Sequence, residues 1–262
     1  MNKIAIITII SFSALLTGCG TTQTTHQNTP TTATAPIVKT QDPATTNAPN
    51  LTAETKNQPY SITTATFSQD NINVQYPQIS GLGDDSKEKA LNNLIKNDVL
   101  NSQVEAPIKE YQDATHTKVL TLDLKYQITM NTTELLSVFY TGRSDIVGSA
   151  HPNEAIYAIT IDLKNPTKLK LSDFTTMDTN FAQKIKQSTA VTNDAVKNGM
   201  DKKGLITLIQ GIDNQTLIQG LQDEWAYNSF HVTPNSLIVS VAVAHAAGDY
   251  ALVELPGQYT KK

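Results

Sequence analysis

The sequence predicts an α+β domain with antiparallel sheets and a few packed helices, preceded by a disordered tether. Three observations carry that prediction. Alternating strands come in hairpin-length pairs, amphipathic helical stretches stand in blocks apart from them, and the first sixty residues differ in composition from everything after.

Met1-Asn2-Lys3 is a short basic start, and Ile4–Leu16 is an apolar run broken by Thr8, Ser11 and Ser13. A membrane span needs about 20 apolar residues, so this shorter run reads as the core of an export signal over residues 1–18. Leu16-Thr17-Gly18-Cys19 then has the form of a lipobox, with small residues beside a thiol that becomes lipidated. Cys19 is the single cysteine of 262 residues, so it is the expected acylation site, carrying palmitate-type chains, and no disulfide braces the domain. Two or more acyl chains hold a protein stably at a bilayer. The bilayer is therefore one expected partner, and the expected location is the cell membrane, lipid-anchored on its extracytoplasmic side.

Residues 19–58 are rich in Thr, Gln, Asn, Ala and Pro, without an apolar period. Such a stretch buries too little to offset its ordering entropy, so it is expected to be a disordered tether. Fully stretched it reaches at most ~130–140 Å.

The folded domain is expected over residues 59–256, with 257–262 as a C-terminal tail. Ile72, Val74 and Tyr76 alternate with Asn73 and Gln75, a strand expected to stop at Pro77. Gly81–Asp85 turns into a helix from about Ser86, with Asp84, Asp85 or Ser86 as its cap and Ala90, Leu91, Leu94 and Ile95 on one face. Val119–Met130 is the clearest strand: Leu122, Leu124, Tyr126, Ile128 and Met130 are assigned to one face. Asn131-Thr132-Thr133 turns it into a partner running Glu134–Tyr140. Tyr157, Ile159, Ile161 and Leu163 mark a third strand, closed by Asn165-Pro166-Thr167, with a short return through Leu169 and Leu171. Two helices follow, one through Phe181, Ala182 and Ile185 and one through Leu217, Ile218, Leu221 and Trp225. The chain then returns to strands at Leu237–Val243 and Ala251–Leu255.

With 20 basic and 24 acidic residues the chain is mildly acidic, and it offers no electrostatic footprint for nucleic acid. Phosphate-binding glycine loops, HExxH, paired CxxC and the Gly-x-Ser-x-Gly elbow are all missing, so no cofactor, metal or catalytic residue is assigned and no enzyme is expected. The most unusual stretch is Gly148-Ser149-Ala150-His151-Pro152-Asn153, following Asp145. Pro152 holds His151 extended, which makes His151 a candidate ligand contact, with Asp145 and Asn153 beside it; a structural histidine bonded to a nearby carbonyl is the alternative. His245, among small residues at a strand end, is placed to line a cleft with His151. His116 and His231 suggest less, and His26 lies in the tether.

Tyr76-Pro77-Gln78-Ile79-Ser80-Gly81-Leu82, Gly148–Asn153, Asp162-Leu163, Leu171-Ser172-Asp173-Phe174, Phe230, Thr233–Leu237 and Ala246-Ala247-Gly248 resemble, in order, an extracytoplasmic domain of unknown function. That domain is shared by the lysozyme-sensing anti-sigma factor RsiV and the N-terminal part of the peptidoglycan deacetylase PdaC. The resemblance implies an α+β fold and a binding role, with lysozyme, peptidoglycan or another envelope protein as partner. It also implies a difference: this chain is expected to carry a lipid anchor where its relatives have a transmembrane helix, a sigma-binding segment or a deacetylase domain, and so not to signal alone. The leading expectation is a membrane-anchored module that recognises a cell-wall component or a wall-directed protein such as lysozyme. The alternatives are an assembly lipoprotein that binds another envelope protein and an envelope hydrolase using His151.

Overall fold

The computed structural model describes residues 59–111, 120–224 and 227–262. Cys19, His26, His116, Val119 and Trp225 lie outside them. Two sheets form the domain, in an α+β arrangement. The first has six strands in the order β1 (Ser61–Gln69), β2 (Ile72–Ser80), β3 (Leu120–Asn131), β4 (Leu135–Ile146), β5 (Asn153–Asp162) and β6 (Thr167–Lys168). Every pair is antiparallel except β2–β3, a short parallel contact over Ile72–Val74. The second sheet orders β7 (Val191–Thr192), β10 (Tyr250–Pro256), β9 (Ser236–Ala242) and β8 (Ser229–Thr233).

Helix α1 (Asp85–Leu100) covers one face of the first sheet, where Leu91, Ile95 and Val99 meet Val74, Leu122, Leu124, Tyr140 and Ile159. Asp84 caps it by accepting from the Lys87 amide at 3.0 Å. The opposite face of β4 and β5 packs on the second sheet through Phe139, Ile156, Ala158 and Tyr250. Helices α3 (Thr179–Gln187), α5 (Lys202–Gly211) and α6 (Asn214–Gln222) close the far side of that sheet, their apolar stripes on Val232, Val239, Val241, Ala251 and Val253. The order of layers is therefore helix, sheet, sheet, helices.

Edge strand β8 leans on the first sheet: the Val232 amide donates to Ser137 Oγ at 3.1 Å. His231 stacks on Phe139 with ring centroids 4.5 Å apart. Burial depresses the His231 imidazole to about 3, so it sits in this interface neutral.

Several sequence expectations change here. Strand β2 does not stop at Pro77 but continues to Ser80. Residues i and i+2 of a strand point their N–H groups to the same side. At Ile79 that side faces Asn92 of α1, which accepts from the Ile79 amide and donates to its carbonyl, both at 2.8 Å. Among the described residues no strand pairs there, because β2–β3 pairing ends at Val74, so the donor missing at Pro77 costs no ladder bond. Met130 does not share a face with Ile128. A bulge at Thr129 shifts the register from Ile128↔Val138 to Met130↔Ser137, and Met130 packs in the second core. Strand β5 is buried on both faces from Ala155 to Asp162, since helix and sheet sandwich it. The strands β1, β7 and β8, helix α5 and the short helices α2 (Ala106–Tyr111) and α4 (Asp194–Lys197) were not read from the sequence.

Residues 257–262 pack against the domain. Lys261 Nζ reaches the buried Asp162 carboxylate at 2.5 Å, and the Lys262 amide donates to the Asp173 carbonyl at 2.9 Å.

Candidate functional site

The β4–β5 connection, Val147–Pro152, is exposed but internally pinned. Gly148 turns with φ +93°, and the Ser149 amide donates to the Ile146 carbonyl at 2.8 Å. Ser149 Oγ donates to Asp145 Oδ1 at 2.8 Å and approaches the His151 carbonyl at 3.2 Å. Asp145 thus reaches His151 only through Ser149.

The β9–β10 connection is held from below. A single turn over His245–Ala247 ends at Gly248, φ +96°, and Asp249 follows at φ +69°. A Cβ at Gly248 would come within 2.9 Å of Asn193 Nδ2 and 3.1 Å of Ala195 Cβ, so glycine is required for close approach as well as conformation. Fully buried Asn193, the cap of α4, donates through Nδ2 to the Ala247 and Tyr250 carbonyls, both at 2.7 Å.

These two connections bring the sequence-selected histidines together. The rings of His151 and His245 stack with centroids 4.0 Å apart and planes 6° from parallel. His245 Nδ1 lies 2.7 Å from Oδ1 of Asp249, whose carboxylate is buried. An N–H at Nδ1 bonded to that carboxylate fixes the ring's direction and turns Nε2 outward. Asp249 was missed in the sequence, where its signal was the His-x-x-x-Asp spacing across a glycine. Asn153 opens β5 opposite Ser144 and faces a different feature.

That feature is a cleft of about 430 Å³ lined by β3–β5, helix α2 (Ala106–Tyr111), Glu224 and residues Tyr227–Ser229. Its edge is supported by a half-buried network of Asp98, Tyr157, Lys168 and Glu224. Lys168 Nζ lies 2.7 Å from Glu224 Oε2, 3.0 Å from Tyr157 Oη and 3.5 Å from Asp98 Oδ2, while Tyr157 Oη donates to Asp98. Burial and the Asp98 charge push the Tyr157 phenol well above its ordinary range. Burial works against the Lys168 ammonium, but the surrounding Tyr157, Asp98 and Glu224 overcome it and raise its pKa.

Among the described residues no cluster of three or more His, Cys, Asp or Glu side chains is placed to hold a metal ion, and no helix is long and apolar enough to cross a membrane.

No family model matches the sequence, and neither does any curated protein. The chain is similar to the solved structure of a DUF3298 family member from Bacteroides fragilis NCTC 9343, at 13% identity and a TM-score of 0.46, over 77% of this chain and 94% of that one. It is also similar to a DUF3298 family protein from Pseudomonas aeruginosa PAO1, at 12% identity and a TM-score of 0.42, over the same shares of each chain.

Proposed function

We propose that this chain is a lipid-anchored extracytoplasmic binding module that recognises a cell-wall component or a wall-directed protein such as lysozyme. The anchor is the acylated Cys19. The observation that carries the reading is the His151–His245 stack. It joins two exposed connections from different sheets, each fixed by its own glycine and hydrogen bonds, and these connections hold two of the stretches that carry the family resemblance. Loops presented by a rigid scaffold are where recognition residues concentrate.

The test is a calorimetric titration of the full-length chain with lysozyme and with soluble peptidoglycan fragments, at low and physiological salt. Saturable binding that survives salt is expected for one of them. His151→Ala and His245→Ala are each expected to weaken it by at least about tenfold, the loss typical of an interface hot spot. Absence of heat with every ligand, or full affinity in both variants, would remove the reading. Palmitate incorporation that disappears in Cys19→Ala checks the anchor.

One observation favours a second reading, an envelope hydrolase: Asp249 orients His245 as a carboxylate orients a general-base imidazole. Turnover of wall fragments that is lost in Asp249→Asn would support it.

A further inference from the structure

Strand β1 pairs with β2 on one side only. Its nine residues run in register without interruption, from Ser61↔Ser80 to Gln69↔Ile72. The phase of that ladder is set by Ile79, whose N–H and C=O are both taken by Asn92 of α1. Ile62, opposite Ile79, therefore turns its own N–H and C=O away from β2, and by the period of two so do Thr64, Thr66 and Ser68. Among the described residues no backbone group bonds to these four on that side.

Edge strands are kept from pairing with other chains by shortness, charge, proline, a bulge or a covering element. The other ends of the two sheets use such means: β6 and β7 have two residues each, and β8 leans on the first sheet. Strand β1 is long, has no register shift, and carries no Lys, Arg, Asp, Glu or Pro.

The chemistry of the strand selects its partner. With no charge along its length, a second β1 meets it without like-charge repulsion. The stretch is also self-complementary when reversed about Ala65. Thr64 then faces Thr66 of the partner subunit in a hydrogen-bonded pair, and Thr63 faces the partner's Phe67 in a closer, non-bonded one. Ala65, the smallest side chain of the strand, faces its own copy on the two-fold axis. Thr–Thr and aromatic–β-branched pairs are favourable across strands, and Phe67, half-buried on its own sheet, gains cover from the partner's Thr63.

We infer that two copies of this chain associate through β1, antiparallel and centred on Ala65, so that their two six-stranded sheets become one. About eight backbone hydrogen bonds would form. A contact of one strand pair lies at the small end of interfaces, below about 1,200 Å², so the dimer is weak in solution. The inference rests neither on the histidine loops nor on the lipid anchor.

The experiment is disulfide trapping in the full-length chain under mild oxidation, at about 100 μM protein to populate a weak dimer. On the axis the two Ala65 Cα atoms stand about 4.5 Å apart, within disulfide reach. Ser68 lies six residues out of register with its copy, about 20 Å away. Ala65→Cys should therefore give covalent dimer at least about tenfold faster than Ser68→Cys or than the parent, whose Cys19 sets the background. Thr66→Pro deletes an N–H that points away from β2, so circular dichroism should be kept while sedimentation equilibrium shows a dimer Kd weakened by at least about tenfold. If that variant misfolds, Thr66→Lys, which sets like charges on both sides of the axis, tests the same edge. Trapping at Ala65 that is lost with either Thr66 variant supports the inference. No trapping at Ala65, equal trapping at Ser68, or a dimer unchanged in a folded Thr66 variant would overturn it.

Discussion

Replacing Asp162 by Asn should remove a pH-dependent share of stability whose size follows from the geometry. The carboxylate sits at the end of β5, with a side chain only 5% exposed. It accepts from Lys261 Nζ at 2.5 Å, from the Lys164 and Asn165 amides at 2.8 and 3.0 Å, and from Asn165 Nδ2 at 3.3 Å. Burial alone would raise its pKa, but the bond from Lys261 and those from Asn165 and Lys164 outweigh it and hold the group at about 2 against an ordinary 3.8. Taken whole, that interval is worth about 2.4 kcal/mol at neutral pH. Lys261 is 40% exposed, so solvent screening cuts the figure to about 1 kcal/mol.

The sign follows from the depressed pKa. Stability is fully present above the unfolded value near 4 and is lost as pH falls through about 2. Urea unfolding of the parent and of Asp162→Asn at a series of pH values should therefore show a gap of about 1 kcal/mol from pH 7 to 5. The gap should close towards pH 2. Asn keeps an acceptor for the two amides, so the comparison isolates the charge. His231, which must become protonated on unfolding in mild acid, is common to both proteins and cancels. No gap at neutral pH, or one that stays constant to pH 2, would refute the reasoning.

Two further substitutions probe the scaffold. In Gly142→Ala the new Cβ would lie 1.9 Å from the Asp123 carbonyl oxygen and 3.0 Å from Leu124 Cα, both backbone atoms of the paired strand. The β3–β4 ladder would have to part, and a loss of about 3 kcal/mol or more by thermal or urea unfolding is expected. Lys168→Met leaves Asp98 and Glu224 facing Tyr157 without their cation. At 24% exposure of the lysine, the loss should be about 1–3 kcal/mol, and Lys168→Met combined with Asp98→Asn should lose less than the sum of the two singles.

The parts of the fold that were legible in the sequence are those where one local period meets one environment. Leu122, Leu124, Tyr126 and Ile128 alternate because α1 covers one face of β3, and Phe181, Ala182 and Ile185 recur because α3 lies on one face of a sheet. What escaped was set by distant elements. Strand β1, Ser-Ile-Thr-Thr-Ala-Thr-Phe-Ser-Gln, has the Thr-rich composition of the tether, and only its pairing with β2 makes it a strand. Pro77 reads as a stop until Asn92 is seen to satisfy that side of the strand. The bulge at Thr129 has no local marker, because both registers place an apolar residue at Met130.

The site divides along the same line. Pro152 and the glycines marked the β4–β5 connection, and the small residues around His245 marked the other, so each loop was locally unusual. Their meeting depends on how edge strand β8 and Phe139 set one sheet on the other, a relation that no stretch of sequence encodes. The cleft is harder still, since its walls are ordinary Leu, Ala, Glu and Ser side chains from five segments.

Asn153 connects the two features. It stands two residues after His151, begins β5 opposite Ser144, and lines the cleft from which Tyr157 leads to the Lys168 network. The start of β5 is therefore shared: its N-terminal side presents the stacked histidine and its first strand residues form the cleft wall. A backbone fixed by ladder bonds on its β4 side holds both in one frame. Loop and cleft wall thus share one strand, and burial of β5 on both faces from Ala155 onward keeps that strand rigid.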